Sequence, residues 1–148
     1  MLCDKHVSKM ILETAQMLST VAVSLGYDYD CLYKPVHAKH PCTIWAGHSY
    51  HNWKWLCRHG LAMADEFTFR YNNRHKSADV IRFIYDNNLH PTNYRWHSLF
   101  QAHTDFAQAM PPQYKHRDAV TAYRNYYRGE KKRFAKWTLR EPPIWWEG

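Results

Sequence analysis

From Val7 to Leu25 the large side chains return every three or four positions: Val7, Met10, Ile11, Thr14, Met17, Leu18, Val21 and Leu25. A period of about 3.6 residues places such a set on one side of an α-helix. Asp4 is suited to cap the start of this helix and Gly26 to end it. The opposite stripe is polar, with His6, Lys9, Glu13, Gln16 and Thr20 also three or four residues apart. The stripe therefore presents several titratable groups along one face.

The remaining pattern is also helical. A loop from Tyr27 to Pro41 precedes a second helix, expected from near Thr43 towards Tyr71, with Ile44, Trp45, Trp53, Leu56, Leu61, Ala64 and Phe67 inward and a break at Gly60. A third helix follows Ser77, carries Val80, Ile81 and Ile84, and stops at Asn87, Asn88 and Pro91. The stretch from His90 to Arg117 has little periodicity. Asp118 caps a fourth helix with Val120, Tyr123, Tyr126 and Tyr127, which Gly129 is expected to interrupt. A short basic helix from Glu130 to Trp137 and an extended tail containing Pro142-Pro143 and Trp145-Trp146 complete the chain. No alternation is long enough to build a sheet. The expectation is an all-α, single-domain orthogonal helical bundle spanning residues 1–148, with long loops and an extended C-terminal tail.

Composition narrows the function. Lys and Arg number 20 against 13 Asp and Glu, a formal net charge of +7. Between Lys115 and Arg140 stand nine Lys and Arg and only two acidic residues, Asp118 and Glu130, so this stretch alone carries +7. Its cations are Lys115, Arg117, Arg124, Arg128, Lys131, Lys132, Arg133, Lys136 and Arg140, interleaved with Tyr123, Tyr126, Tyr127, Phe134 and Trp137. Cations grip phosphates and aromatic faces stack on unpaired bases, so DNA is the expected partner. A solvated basic helix with its aromatics turned inward would show the same pattern. No apolar run approaches a membrane span, and the start, with Asp4, Lys5, His6 and Lys9, is not a signal peptide. Cys3, Cys31, Cys42 and Cys57 form no CxxC pair and read as reduced thiols of a cytoplasmic protein.

Two readings of the first helix's polar face stay open. Lys9 and Glu13 can be an ordinary ion pair one turn apart. Alternatively, Glu13 is a carboxylate held beside His6 and Lys9 for acid/base or charge-stabilising work at a sugar or base. The pairs His37/His40 and His48/His51 and the scattered His59, His75, His90, His97, His103 and His116 lack the spacing of a zinc site, and no metal is expected. His48 and His51, near a helix start, are candidate phosphate ligands. GxGxxG, P-loop and GxSxG patterns are absent.

Several short stretches, in order, resemble the small phage-type pyrimidine-dimer DNA glycosylases with abasic-site lyase activity. Leu2-Cys3-Asp4-Lys5-His6 resembles the family's first-helix motif, and Glu13 stands seven residues after His6, at the spacing of the family's catalytic glutamate. Ala46-Gly47-His48 resembles its step opening the second helix. Met110-Pro111-Pro112-Gln113-Tyr114 resembles its proline-containing turn, and Ala122 to Gly129 its aromatic DNA-contacting segment.

The resemblance implies an all-α enzyme without cofactor. A backbone α-amine attacks C1′ of the damaged nucleotide, a Schiff base forms, and β-elimination nicks the strand. It also implies double-stranded DNA, kinked and with a base flipped out, as partner of a monomeric protein, in the host cytoplasm if the gene is viral. The family carries a short segment ahead of the motif that here begins almost at Met1, so upstream residues are expected or the amine differs. The family's arginines near the glutamate have no counterpart among Leu12, Glu13 and Gln16. Lys9 is the internal candidate for the imine-forming amine. The resulting expectation is a glycosylase and lyase acting on damaged or modified DNA. Its catalytic residues are Glu13, His6 and Lys9, and its DNA contacts are His48, His51, Arg117, Arg124, Tyr126, Tyr127, Arg128, Lys131, Lys132, Arg133 and Lys136. The alternatives are a non-catalytic DNA-binding protein on the same scaffold, or a protein whose basic face meets an acidic host partner.

Overall fold

The computed structural model describes residues 1–91 and 102–147. His97 and the centre of the weakly patterned stretch lie outside the described residues. The described residues are all-helical, with no strand. They form α1 (Asp4–Ser24), α2 (Pro41–His48), α3 (Tyr50–Tyr71), α4 (Ser77–Asp86) and α5 (Ala119–Glu130), with 3-10 turns at Pro112–Tyr114 and Lys132–Phe134. No described helix is long and apolar enough to cross a membrane.

α1 is the axis of the core. Val7, Ile11, Ala15, Leu18, Val21 and Ala22 are buried against α2, α3 and α4, together with Trp53, Leu56, Cys57, Ile81 and Ile84. Its start differs from expectation. Cys3 is the N-cap, its carbonyl accepting from the His6 and Val7 amides, and Asp4 is the first helical residue. The Asp4 carboxylate turns away from the helix amides because stronger donors reach it: Arg70 Nη1 at 2.9 Å and the Thr138 amide and hydroxyl at 2.8–3.0 Å. Gly26, at φ +92°, ends the run in the left-handed region, as its residue type allows. Thr20, expected on the polar stripe, is buried. Its hydroxyl donates to Val36 O at 3.0 Å and accepts from the Val36 amide, because the 27–41 loop folds back over it.

The expected second helix is two helices. Pro41 occupies the first turn of α2 and His40 Nδ1 accepts from the Cys42 amide, so α2 starts earlier than Thr43. The break falls at Ser49, in extended conformation, whose hydroxyl accepts from the Asn52 amide and caps α3. Asn52, fully buried, closes the junction by donating to Trp45 O at 2.8 Å and accepting from the Thr104 amide at 2.9 Å. Ile44 faces solvent, since α2 buries only Thr43 and Ala46. Gly60 does not break α3. A Cβ there would lie 2.7 Å from Thr14 Cγ2 and 2.9 Å from Ile81 Cδ1, so the glycine lets α1, α3 and α4 approach.

α4 follows the expected pattern, with Val80, Ile81 and Ile84 buried. Asp118 caps α5, its carboxylate accepting from the Thr121 amide at 2.8 Å. The helix continues through Gly129 to Glu130, and a single 3-10 turn replaces the basic helix expected over 130–137. Val120 lies on the exposed side of α5, which buries Ala122 and Tyr127 instead.

A buried ion network joins the start of α1, α3 and the C-terminal segment. The Arg70 guanidinium is wholly buried and donates to Asp4 and to Glu66 Oε1 at 2.8 Å, while Arg140 donates to both Glu66 oxygens. Burial works against the ionised Asp4, but the Thr138 and Arg70 hydrogen bonds outweigh it and hold its carboxyl below the ordinary 3.8. Arg140 holds Glu66 below its ordinary 4.5, opposed by burial and aided by Arg70.

Two predictions follow from the packing and the network. Gly60→Ala should destabilise the fold, because overpacking of about 1–3 kcal/mol exceeds a helix-propensity gain of about 0.5–1 kcal/mol; urea unfolding measures the difference, and a stabilised variant would refute the close approach. Both depressed carboxyls favour folding above their ordinary values, and this contribution fades as pH falls through their lower folded values. Acid unfolding of Asp4→Asn should therefore be less pH-dependent in that window than that of the unsubstituted protein.

Candidate functional site

The polar face of α1 carries His6, Lys9 and Glu13 as the spacing requires. Lys9 Nζ lies 3.2 Å from Glu13 Oε1, with the lysine largely solvated and the glutamate more covered. The chain's far end comes up against this face. The Tyr127 and His6 rings meet edge to face with centres 5.1 Å apart, and the Phe134 ring centre lies 5.5 Å from that of His6. Lys5 Nζ lies 4.9 Å from the centre of the Phe134 ring. Lys131, at the C-terminal cap of α5, places its ammonium 4.5 Å from the Tyr126 ring centre and 3.1 Å from its hydroxyl.

Charge and burial set the state of His6. Burial, then the Lys131 and Lys9 cations, lower its pKa from the ordinary 6.5; Glu13 pulls the other way and Lys5 adds to the lowering. His6 is therefore held towards the neutral imidazole, able to accept a proton or a hydrogen bond. Across from Glu13, α2 contributes Cys42, half-buried, with Sγ 3.9 Å from the Tyr123 hydroxyl. Burial raises this thiol, the Tyr123 contact opposes the rise, and the negative charge of Glu13 adds to it. A thiol raised in this way is a weak nucleophile.

The expected DNA contacts divide into groups. Lys131 is close enough for its charge to act on His6 and itself contacts Tyr126, and the exposed Lys132 and Arg133 lie in the same 3-10 turn as Phe134. Lys136 is exposed beyond them and Arg117 precedes α5, also exposed. Tyr127 is not a surface residue. Its hydroxyl accepts from the buried Cys3 amide at 3.0 Å and donates to Cys3 Sγ at 3.1 Å, so its ring cannot stack on a base. Burial pushes its phenol pKa well up.

Arg128, half-buried, is tied to the tail, and Arg124 lies beside the same tail while remaining exposed. Arg128 Nε donates to Trp145 O at 3.0 Å, and the guanidinium carbons lie 5.7 Å (Arg124) and 6.0 Å (Arg128) from the centre of the Trp145 ring. His48 ends α2 instead of opening a helix, while His51 lies in the first turn of α3 against Tyr50. These two histidines belong to the α2–α3 junction and not to the α1 face.

Sequence reasoning missed Cys42, Lys5 and Tyr114 as members of this region. Cys42 arrives by tertiary packing and leaves no local signal. Tyr114 leaves one, a glycine inside an aromatic helix. A Cβ on Gly129 would fall 2.4 Å from the Tyr114 hydroxyl, so the glycine is the seat of that ring. Among the described residues no three His, Cys, Asp or Glu side chains gather as a metal site.

Tyr127→Phe would leave the buried Cys3 amide without its acceptor. The expected loss is about 1–3 kcal/mol of stability in urea unfolding.

No family model matches the chain, and neither a curated protein nor a solved structure shows significant similarity to it.

Proposed function

We propose that the protein is a DNA glycosylase with abasic-site lyase activity, acting on damaged or modified double-stranded DNA. The observation that carries this reading is the meeting of α1's His6, Lys9 and Glu13 with the cationic end of α5. A carboxylate, an amine and an imidazole held off its charged form share one face with lysines and partly covered aromatic rings. Lysines at such a face attract the phosphate backbone. The carboxylate offers charge stabilisation where positive charge develops on a sugar.

The chemistry runs through an imine. The amine lone pair bonds to C1′ as the glycosidic bond breaks, and the departing base takes up a proton. The nitrogen then loses a proton and forms the imine double bond to C1′ as the C1′–O4′ bond breaks, and O4′ takes up a proton to leave an open-chain sugar. Removal of a proton from C2′ then expels the 3′ phosphate and nicks the strand. Lys9 is the amine on this face, and Glu13, 3.2 Å away, is placed to accept the proton that a lysine ammonium must lose before it attacks. His6 is a second proton acceptor in reach of the same face.

The solvation of Lys9 favours a second reading, DNA binding without chemistry, in which Lys9 and Glu13 are an ordinary surface pair worth a few tenths of a kcal/mol. Borohydride trapping on a duplex with one abasic site separates the two. Under the enzymatic reading a covalent adduct forms and peptide mapping locates the amine. Glu13→Gln should keep DNA binding and lose nicking by about a hundredfold or more, the usual range for a general acid/base. Binding without any adduct would favour the non-catalytic reading, and no binding at moderate salt would exclude both.

A further inference from the structure

The end of α5 is built more elaborately than a phosphate contact needs. Lys131 does not project freely. Its ammonium donates to the Tyr126 hydroxyl at 3.1 Å and rests 4.5 Å from the centre of the same ring. The Tyr126 ring leans on Tyr114, centre to centre 5.3 Å. Tyr114 in turn donates to Glu130 Oε1 at 2.9 Å and lies directly over Gly129, where any side chain would occupy the space of its ring. Of these residues Tyr126 alone meets the lysine ammonium, and Tyr114, itself held by Glu130 and Gly129, backs the Tyr126 ring.

We propose that Tyr126 is a positioning residue: it holds the Lys131 ammonium beside the His6 and Glu13 face, and Tyr114, seated on Gly129, holds Tyr126. The role assigned to that fixed cation, meeting a DNA phosphate at the face where the chemistry occurs, rests on the nucleic-acid reading above. A free lysine loses rotamer entropy when it is ordered on a ligand, and a braced one has already lost part of it. The brace also fixes where the positive charge stands relative to His6. That imidazole faces Lys5, Lys9 and Glu13 on its own helix, Lys131 from the end of α5, and the uncharged rings of Tyr127 and Phe134. After burial, the Lys131 charge does most to lower the His6 pKa, ahead of Lys9.

This gives a readout that needs no DNA. Proton NMR titration of His6 in the unsubstituted protein, Tyr126→Phe, Lys131→Met and the double variant tests the brace. Removing the lysine charge should raise the His6 pKa. Removing only the phenol hydroxyl should raise it in the same direction, because the ammonium is released. The double variant should match Lys131→Met. A Tyr126→Phe variant whose His6 titrates unchanged, while Lys131→Met shifts it, would overturn the proposal.

The DNA arm measures affinity against salt. Tyr126→Phe and Lys131→Met should each weaken binding and each lower the slope of log affinity against log salt, by about 1 for the lysine. Tyr126→Phe should cost about threefold to tenfold in affinity, one hydrogen bond's range, and nothing further when Lys131 is already Met. Additive losses would overturn the positioning role. Gly129→Ala guards against a purely structural effect. It should raise helix propensity yet shift His6 and weaken DNA binding as Tyr126→Phe does, because it displaces Tyr114. If the unsubstituted protein shows no salt-dependent DNA affinity, the DNA role falls, and the His6 titration still decides whether the brace exists.

Discussion

The arrangement depends on a guanidinium shut off from solvent. Arg70 is fully enclosed, and an isolated charge in that position would cost several kcal/mol. It is tolerated because Asp4 and Glu66 meet it, Arg140 meets Glu66, and two positive and two negative charges balance. The geometry matters as much as the balance. Asp4 begins α1, Glu66 and Arg70 lie on α3, and Thr138 and Arg140 belong to the segment after α5. The Asp4 amide donates to Lys136 O at 2.8 Å, adding a backbone tie at the same point. One cluster thus clamps residues 136–140 to the start of α1. The turn at Lys132–Phe134 just before it is thereby brought against His6. The network supplies little net stability by charge alone, but it fixes which residues face one another at the candidate site.

Much of the helical framework was legible because its signals are local. The period of α1, the Asp118 cap, the left-handed Gly26 and the pattern of α4 each depend on a few neighbouring residues. The errors share one cause: a residue whose local preference was overruled by something distant in the chain. Asp4 left the capping role because Thr138 and Arg70 offered better donors. Gly60 and Gly129 read as breaks, yet each marks a place where another element approaches too closely for a Cβ. Both helices continue through the glycine because the packing gained exceeds a propensity loss of about 1 kcal/mol. The true break at Ser49 carried a visible signal, a serine three residues before a helical asparagine. Aromatic residues on both sides masked it.

The candidate site was half legible for the same reason. His6, Lys9 and Glu13 share a face by helical arithmetic, which needs no tertiary knowledge. The basic stretch after Lys115 was equally plain as composition, but composition does not say which cations are free. The structure divides them. Lys131 is braced at the site, while Arg128 spends hydrogen bonds on Trp145 O and Arg124 lies beside the same ring. Tyr127 shows the limit most clearly. Its neighbours in sequence, Tyr126 and Arg128, remain partly exposed, yet the hundred-degree step per residue turns Tyr127 onto Cys3.

The electrostatics give the face an internal division of labour. A phosphate-gripping histidine should be protonated, which requires nearby negative charge or open solvent. His6 has the opposite setting, since burial and the Lys131 and Lys9 cations all disfavour its charged form and Glu13 only partly offsets them. On the proposed reading the lysines serve the polyanion, and His6, shifted towards its neutral form, lies on the same stripe of α1 as Glu13. A surface selected only for affinity to phosphate gains nothing from suppressing the charge of its own histidine. A surface that must also take a proton from a sugar gains an acceptor available at neutral pH. The lowering of His6 is therefore the feature on which the proposed enzymatic reading and plain binding would differ, and it depends in part on Lys131, which the Arg70 clamp on residues 136–140 helps to hold near α1.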